Sequence, residues 1–208
     1  MGPSGEGTCR ILTDARETGF YDRNADKFIR DTLTVDMTAV LHRFIEHLPE
    51  GAAILDAGCG AGRDAKNFLN MGYSVTAFDA AGSMVRHAAD YTGLPVTQLT
   101  FQEMTWQKTF DGIWCCASLL HVPTVEFEDV LMRLHAALRP GGVCYMSFKY
   151  GVGERLATGR FFSDHTEATL EKAVGVTPDF RLIDIWTSPD ARPDRASEFW
   201  LNAIAKRA

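Results

Sequence analysis

Residues 54–62 read Ile-Leu-Asp-Ala-Gly-Cys-Gly-Ala-Gly. An apolar run of strand length, Ala52 to Ala57, breaks into a turn with glycine at 58, 60 and 62, and a helical pattern continues from Asp64 to Met71. In open α/β sheets a ligand binds outside the carboxyl ends of the strands, close to the first strand-to-helix turn. Glycine supplies the positive φ such a turn needs and lets a ligand lie against the backbone. Asp79 closes the next apolar run, Ser74 to Phe78, 17 residues after Gly62, the length of one helix plus one strand. A carboxylate there can accept both hydroxyls of a ribose. The spacing also separates ligand classes. A dinucleotide turn is Gly-x-Gly-x-x-Gly with the pyrophosphate on the helix N-terminus, whereas here Arg63 stands where the third glycine would be. Asp56, just before the turn, would repel a pyrophosphate and suits a cationic amino group.

The rest of the chain alternates strand and helix patterns, which predicts a doubly wound α/β fold with a mostly parallel seven-stranded sheet and helices on both faces. Met37, Val40, Leu41, Phe44, Ile45 and Leu48 form one apolar helical stripe. Pro49 and Gly51 end it. Further strands are expected at 96–101, 110–117, 143–148, 180–186 and 199–205. A second helical stripe runs from Phe127 to Leu138 and stops at Arg139-Pro140-Gly141-Gly142. Residues 151–159 read as a flexible stretch, followed by a helix near 167–174. The expected organisation is a loose leader at 1–18 and one domain at 19–208. Within it, 19–50 form a lid and first helix, 51–150 a cofactor-binding half and 151–208 a substrate-side half.

Four motifs in order resemble those of class I S-adenosylmethionine-dependent methyltransferases. They are the glycine turn with Asp56, then Phe78-Asp79, then Phe110-Asp111-Gly112-Ile113-Trp114 through Leu119-Leu120-His121-Val122, then Leu138-Arg139-Pro140-Gly141-Gly142. The resemblance spans residues 21–206, and the nearest flavour is the small, undecorated group that includes tellurite-resistance methyltransferases. It implies a Rossmann-like sheet with an antiparallel last strand, and S-adenosyl-L-methionine as cofactor with S-adenosyl-L-homocysteine as product. It also implies site residues. Asp56, Gly58, Gly60, Gly62 and Arg63 would hold the methionine end, and Asp79 with Ala80 the ribose. Met84 would pack on the adenine, Gln102 and Glu103 would meet its edge, and Ala117 and Ser118 would lie beside the reactive methyl group. Tyr21, on a short amino-terminal helix, would contact cofactor or substrate.

A sulfonium is already activated, so alignment of donor and acceptor can supply much of the catalysis and no covalent nucleophile is required. His121 is the candidate base, its ordinary pKa near ~6.5 suiting proton removal at neutral pH; anchoring of its loop is the competing reading. Tyr21 is the second candidate catalytic residue. Lys149 and Tyr150 end the fifth strand on the ligand edge, Arg155 and Arg160 flank the flexible stretch after it, where a small anionic substrate could be met or the charges simply be solvated, and Trp200 and Asn202 in the last strand read as completing the sheet. No Cys-x-x-Cys pair supports a metal site. A formal net charge of −6 without a basic cluster argues against DNA. No apolar run reaches the ~20 residues of a membrane span, and the amino terminus lacks signal-peptide character, so a cytoplasmic location is expected. The Asn/Asp-Pro-Pro-Tyr/Phe motif is absent after Trp114, against adenine or glutamine N-methylation. A small-molecule acceptor leads, with a protein side chain or tRNA base left open, and either a monomer or a homodimer. The other readings are a non-catalytic cofactor-binding regulator and a nucleotide-dependent oxidoreductase, the latter disfavoured by the glycine spacing and Asp56.

Overall fold

The computed structural model describes residues 19–192, 195 and 197–208. The leader expected at 1–18, and Cys9 within it, lie outside the described residues. The elements are α1 (Ala25–Thr32), α2 (Thr38–Ile45), β1 (Ala53–Ala57), α3 (Arg63–Asn70), β2 (Ser74–Asp79), α4 (Gly82–Thr92), β3 (Thr97–Gln98), β4 (Phe110–Cys115), α5 (Thr124–Ala137), β5 (Leu138–Lys149), β6 (Gly153–Ala157), β7 (Arg160–Asp164), α6 (Glu167–Val174), β8 (Phe180–Pro189) and β9 (Phe199–Arg207). Residues 19–23 are also helical.

Seven strands form one sheet in the order β3-β2-β1-β4-β5-β9-β8. The first five run parallel and β9 lies antiparallel between β5 and β8. The period-2 alternation of the strands sorts their side chains between two faces. Ile54, Trp114, Val143, Tyr145 and Ile204 pack with Leu41 and Phe44 of α2 and Phe68 of α3. Leu55, Ile113, Cys144 and Met146 pack with Phe127, Val130, Leu131 and Leu134 of α5. Trp114 anchors the first layer, stacked on Tyr145 at 4.0 Å and donating its indole N–H to Asp64 at 2.9 Å. Arg43 ties α2 to the far strand through Asp184, its guanidinium 3.8 Å from the ring centre of Trp186. No helix among the described residues is long and apolar enough to cross a membrane.

Three expectations change. The third strand is two residues long, because Thr100 and Glu103 close a capping box that winds Phe101–Glu103 into a 3-10 turn. The fourth strand stops at Cys115, and Ala117 beyond it takes φ of 52°. The stretch at 151–159 is ordered: β6 and β7 pair as an antiparallel hairpin across Thr158 and Gly159, both at positive φ, as a tight hairpin turn demands.

Gly112 in β4 fixes how closely α2 approaches the sheet, since a Cβ there would sit 2.7 Å from Phe44 Cζ and 3.0 Å from Leu48 Cδ1. Gly112→Ala is expected to destabilise the protein by about 1–3 kcal/mol through overpacking, read as a lowered urea midpoint at unchanged slope. An unchanged or raised midpoint would show that α2 yields freely.

Candidate active site

β1, β2 and β4 deliver their carboxyl ends to one edge of the sheet, where the outgoing turns line a cavity of about 980 Å³. The glycine turn is clamped to the end of β2. Phe78 O accepts the Gly58 and Cys59 N–H groups at 3.0 and 2.9 Å, and Asp79 Oδ2 accepts the Gly60 N–H at 2.8 Å. Asp79 Oδ1 accepts the Ala81 N–H at 2.9 Å. Burial lifts the Asp79 carboxyl above the usual carboxylate range, against the pull of these backbone donors. At φ of 75°, Gly58 also lets the loop after β4 come close: a Cβ would lie 2.5 Å from Ser118 Cβ. Ser118 Oγ donates to Ala57 O at 2.7 Å and so completes that contact.

Asp56 lines the cavity from the last turn of β1, buried, with Oδ2 lacking a hydrogen-bond partner among the described residues. Burial first, and the Asp64 charge second, push its carboxyl well above the usual range. Asp64 itself is satisfied, taking Arg63 Nε and Nη2 at 2.7 and 2.8 Å besides the Trp114 indole. Arg63 therefore reaches the cavity wall with its guanidinium turned onto Asp64, and its Nη1 donates to Thr32 O at 3.2 Å.

Ala80, Met84, Gln102, Ala117 and Ser118 line the cavity, and Gln102 Nε2 donates to Glu126 at 2.7 Å. Two expected residues do not line it. Gly62 caps α3 at φ of 84°, and a Cβ there would meet Ala88 Cα at 3.1 Å and Thr92 Cγ2 at 3.0 Å, so the absence of a side chain lets α3 pack closely on α4. Glu103 points outward and accepts the Thr100 N–H and hydroxyl, each at 2.9 Å, because the 3-10 turn sends Phe101 and Gln102 inward instead.

Tyr21 and His121, a hundred residues apart, meet over the cavity: Tyr21 Oη lies 2.9 Å from His121 Nε2, and His121 Nδ1 lies 2.7 Å from Phe161 O. A carbonyl only accepts, so Nδ1 carries the proton and Nε2 accepts the tyrosine hydroxyl. Burial pulls the His121 pKa down to about 4, away from the value near neutrality expected of an ordinary histidine base. The β6–β7 hairpin supplies Phe161, two residues beyond the stretch expected to be flexible.

An ion network along the β8–β9 side of the cavity has no counterpart in the sequence motifs. Lys149 Nζ contacts Asp190 at 3.1 Å and also Glu198, and lies 4.1 Å from the Trp200 ring centre. Asp190 further accepts Arg192 and the Trp200 indole, at 2.6 and 2.9 Å. Although burial raises it, the hydrogen bond from Arg192 leads the donors that hold the Asp190 carboxyl well below the usual range. Lys149, at the end of β5, is visible in the sequence as a ligand-edge residue, whereas Trp200 reads there as completing the sheet. Asp190, Arg192 and Glu198 sit between β8 and β9 with no motif to mark them.

Residues 54–142 match the family model described as "Methyltransferase domain". A ubiquinone biosynthesis O-methyltransferase of Xanthomonas axonopodis pv. citri is 30% identical over 109 residues, which cover 48% of this chain and 44% of that protein. The chain thus spans less than half the length of this curated relative. The structure of Burkholderia thailandensis 1,6-didemethyltoxoflavin-N1-methyltransferase, with 1,6-didemethyltoxoflavin and S-adenosylhomocysteine bound, superposes at a TM-score of 0.76 with 26% identity, covering 100% of this chain and 92% of that one. Magnesium protoporphyrin IX methyltransferase from Synechocystis PCC 6803, with S-adenosylmethionine bound, shares the fold at a TM-score of 0.71 and 17% identity, over 94% of this chain and 97% of that one. Glycine turn, clamped acidic residue and strand order agree with these matches: the chain carries a methyltransferase-domain match over residues 54–142 and is similar in fold to S-adenosylmethionine-dependent methyltransferases.

Proposed function

We propose that the protein is a methyltransferase that uses S-adenosyl-L-methionine, releases S-adenosyl-L-homocysteine and acts on a small molecule. The observation that carries this reading is the orphaned, buried Asp56 oxygen beside the clamped glycine turn. A buried acceptor without a partner calls for a donor from the ligand, and the α-ammonium of a methionine moiety fits that need. Asp79, which accepts the Gly60 and Ala81 N–H groups on separate oxygens, keeps acceptor capacity for ribose hydroxyls. Met84 and Gln102 would hold the adenine, Ala80 the ribose side, and Ala117 and Ser118 the region of the transferred group. When bound, the cofactor supplies a methyl group on a sulfonium, transferred by in-line displacement.

The chain's own part is then alignment, exclusion of water and management of one proton. Tyr21 and Phe28 close over the glycine turn from the amino-terminal helices, Phe28 Cε1 standing 3.4 Å from where a Gly60 Cβ would be. Tyr21 and His121 form the catalytic pair. A neutral His121 orients the tyrosine hydroxyl and offers Nε2 as the proton acceptor, yet its depressed pKa makes it a weak base. The pair therefore suits an acceptor whose own proton is acidic. Oxygen, nitrogen, sulfur and metalloid acceptors all remain chemically open to such a site. A cytoplasmic setting agrees with the described cysteines, all free.

Isothermal titration tests the reading. S-adenosylmethionine and S-adenosylhomocysteine should bind with micromolar Kd, Asp79→Ala should weaken both by roughly tenfold or more, as loss of a charged hydrogen-bond acceptor implies, and NADH should give no heat. Absence of binding by both sulfur compounds, or undiminished binding in the variant, would overturn it.

His121 provides a second test. Its imidazole should titrate near pH 4 in nitrogen-15 spectra, with Nε2 unprotonated above that. The unfolded histidine takes its proton near ~6.5, so stability due to this residue is complete above that pH and is lost as pH falls toward 4. A titration midpoint in the ordinary histidine range would refute the burial argument.

A further inference from the structure

The cations around the cavity are not equivalent. Arg63, Lys149, Arg155 and Arg192 all line it with a carboxylate in contact, from Asp64, Asp190, Asp164 and Asp190 respectively. Arg160 lines the same cavity with no ion-pair partner among the described residues. Its Nε is shut off from solvent and lacks a hydrogen bond, and Nη2 finds only the Thr158 hydroxyl at 3.4 Å. The guanidinium is held between two rings, 4.9 Å from the centre of Phe20 and 5.0 Å from that of Phe162. Those rings fix its position without neutralising its charge.

The location is specific. Arg160 opens β7, and the carbonyl of the next residue, Phe161, holds His121 Nδ1. Phe20 stacks edge-on to Tyr21 at 5.5 Å, and Phe162 lies 5.3 Å from the His121 ring. Burial first, and the Arg160 charge after it, keep His121 unprotonated. The cation therefore stands beside the catalytic pair. A guanidinium with a buried, unpartnered N–H is expensive to desolvate and matches a planar oxyanion in both charge and shape. Tyr21, Phe28 and Phe162 line the cavity with aromatic side chains, which favour a ring over an aliphatic chain.

We propose that Arg160 anchors the anionic oxygen of a flat aromatic acceptor, a ring carboxylate or an ionised ring hydroxyl, and so holds the acceptor ring against Tyr21 and His121. This names the acceptor class for the reaction proposed above and rests on that reading. It also assigns the β6–β7 hairpin a purpose, since the hairpin delivers both the anchor and the carbonyl that orients the histidine.

Matched pairs of probes test it: 2-hydroxybenzoate against 2-hydroxybenzamide, and 4-hydroxybenzoate against 4-hydroxybenzamide, which differ in charge and little in shape. Affinities are measured by ligand-observed NMR on the cofactor-free protein and again with S-adenosylhomocysteine. Wild type should prefer at least one acid over its amide by roughly tenfold, the scale of one charge-assisted hydrogen bond. Arg160→Gln should abolish the preference, Arg160→Lys should keep part of it, and Arg155→Gln, which removes a cation already paired with Asp164, should retain it. Equal affinity for acid and amide in wild type, no binding of any probe, or a preference that survives Arg160→Gln would each overturn the proposal and leave Arg160 as a clasp for Phe20 and Phe162. S-adenosylmethionine titrations of wild type and Arg160→Gln separate the two readings. Cofactor binding intact in both with no acid preference defeats only the anchor, whereas loss of cofactor binding in wild type defeats the methyltransferase reading itself.

Discussion

The site depends on one joint, the attachment of the glycine turn to the end of the neighbouring strand. Parallel pairing sets Ala57 opposite Phe78, so the chain leaving β1 meets the Phe78 carbonyl and the Asp79 carboxylate within two residues. Three backbone N–H groups, of Gly58, Cys59 and Gly60, are satisfied there. Without that clamp they would be orphaned at the edge of a buried sheet, a cost of the order of a hydrogen bond each. The same joint positions the elements around it. With the turn held flat, Ser118 can approach Gly58, and α3 can start at Arg63 and direct Asp64 under Trp114. Residues that make the fold closable are thus the ones left facing a ligand.

The electrostatics of that edge come from an imbalance. Asp56, Asp64 and Asp79 converge on it, and Arg63 serves only one of them directly. Asp64 takes the guanidinium and the indole, so it is buried with its charge compensated. Asp79 receives backbone N–H groups. Asp56 receives neither a cation nor a donor at Oδ2, and Asp64 works against its ionisation. A core optimised for stability alone would carry an apolar residue at position 56. An uncompensated acid there reads as a group whose partner arrives from outside the chain.

Much of this was legible in the sequence, for physical reasons. Buried parallel strands are continuous apolar runs, and those at β1, β2, β4 and β5 announced themselves. A turn requiring positive φ announced itself through glycine. Legibility failed where function is carried by exposed or short elements. β6 has four exposed residues of five and so lacks the alternation that marks a strand, although Gly159 at its turn was a usable signal. β3 is cut short by a capping box that sequence periodicity does not register, and this misplaced Glu103. Gly62 looked like its two neighbours in the motif, yet its glycine requirement comes from Ala88 and Thr92 of another helix. The His121 pKa and the Lys149 network depend on contacts spanning 40 or more residues, which no local pattern encodes.

Two of these failures, β6 and the Lys149 network, lie beyond the family match, whereas those at β3, Glu103 and Gly62 lie within it. The family match ends at residue 142, and the edge proposed to hold the cofactor, from Asp56 through Ser118, lies within it. The parts that wall the other half of the cavity lie outside it: Tyr21 and Phe28 before, and Tyr145, Lys149, the β6–β7 hairpin and the β8–β9 connection after. A cofactor common to a family needs a common cradle, so that half is written in recognisable motifs. An acceptor differs between members, and the residues that select it are free to sit on hairpins and connections that the sheet merely supports. In this chain the division runs between β4, which ends beside the cofactor edge, and the hairpin that brings Phe161 to His121. Tyr21 and His121 bridge it, one from each side, and on the proposed reading that is where donor and acceptor would meet.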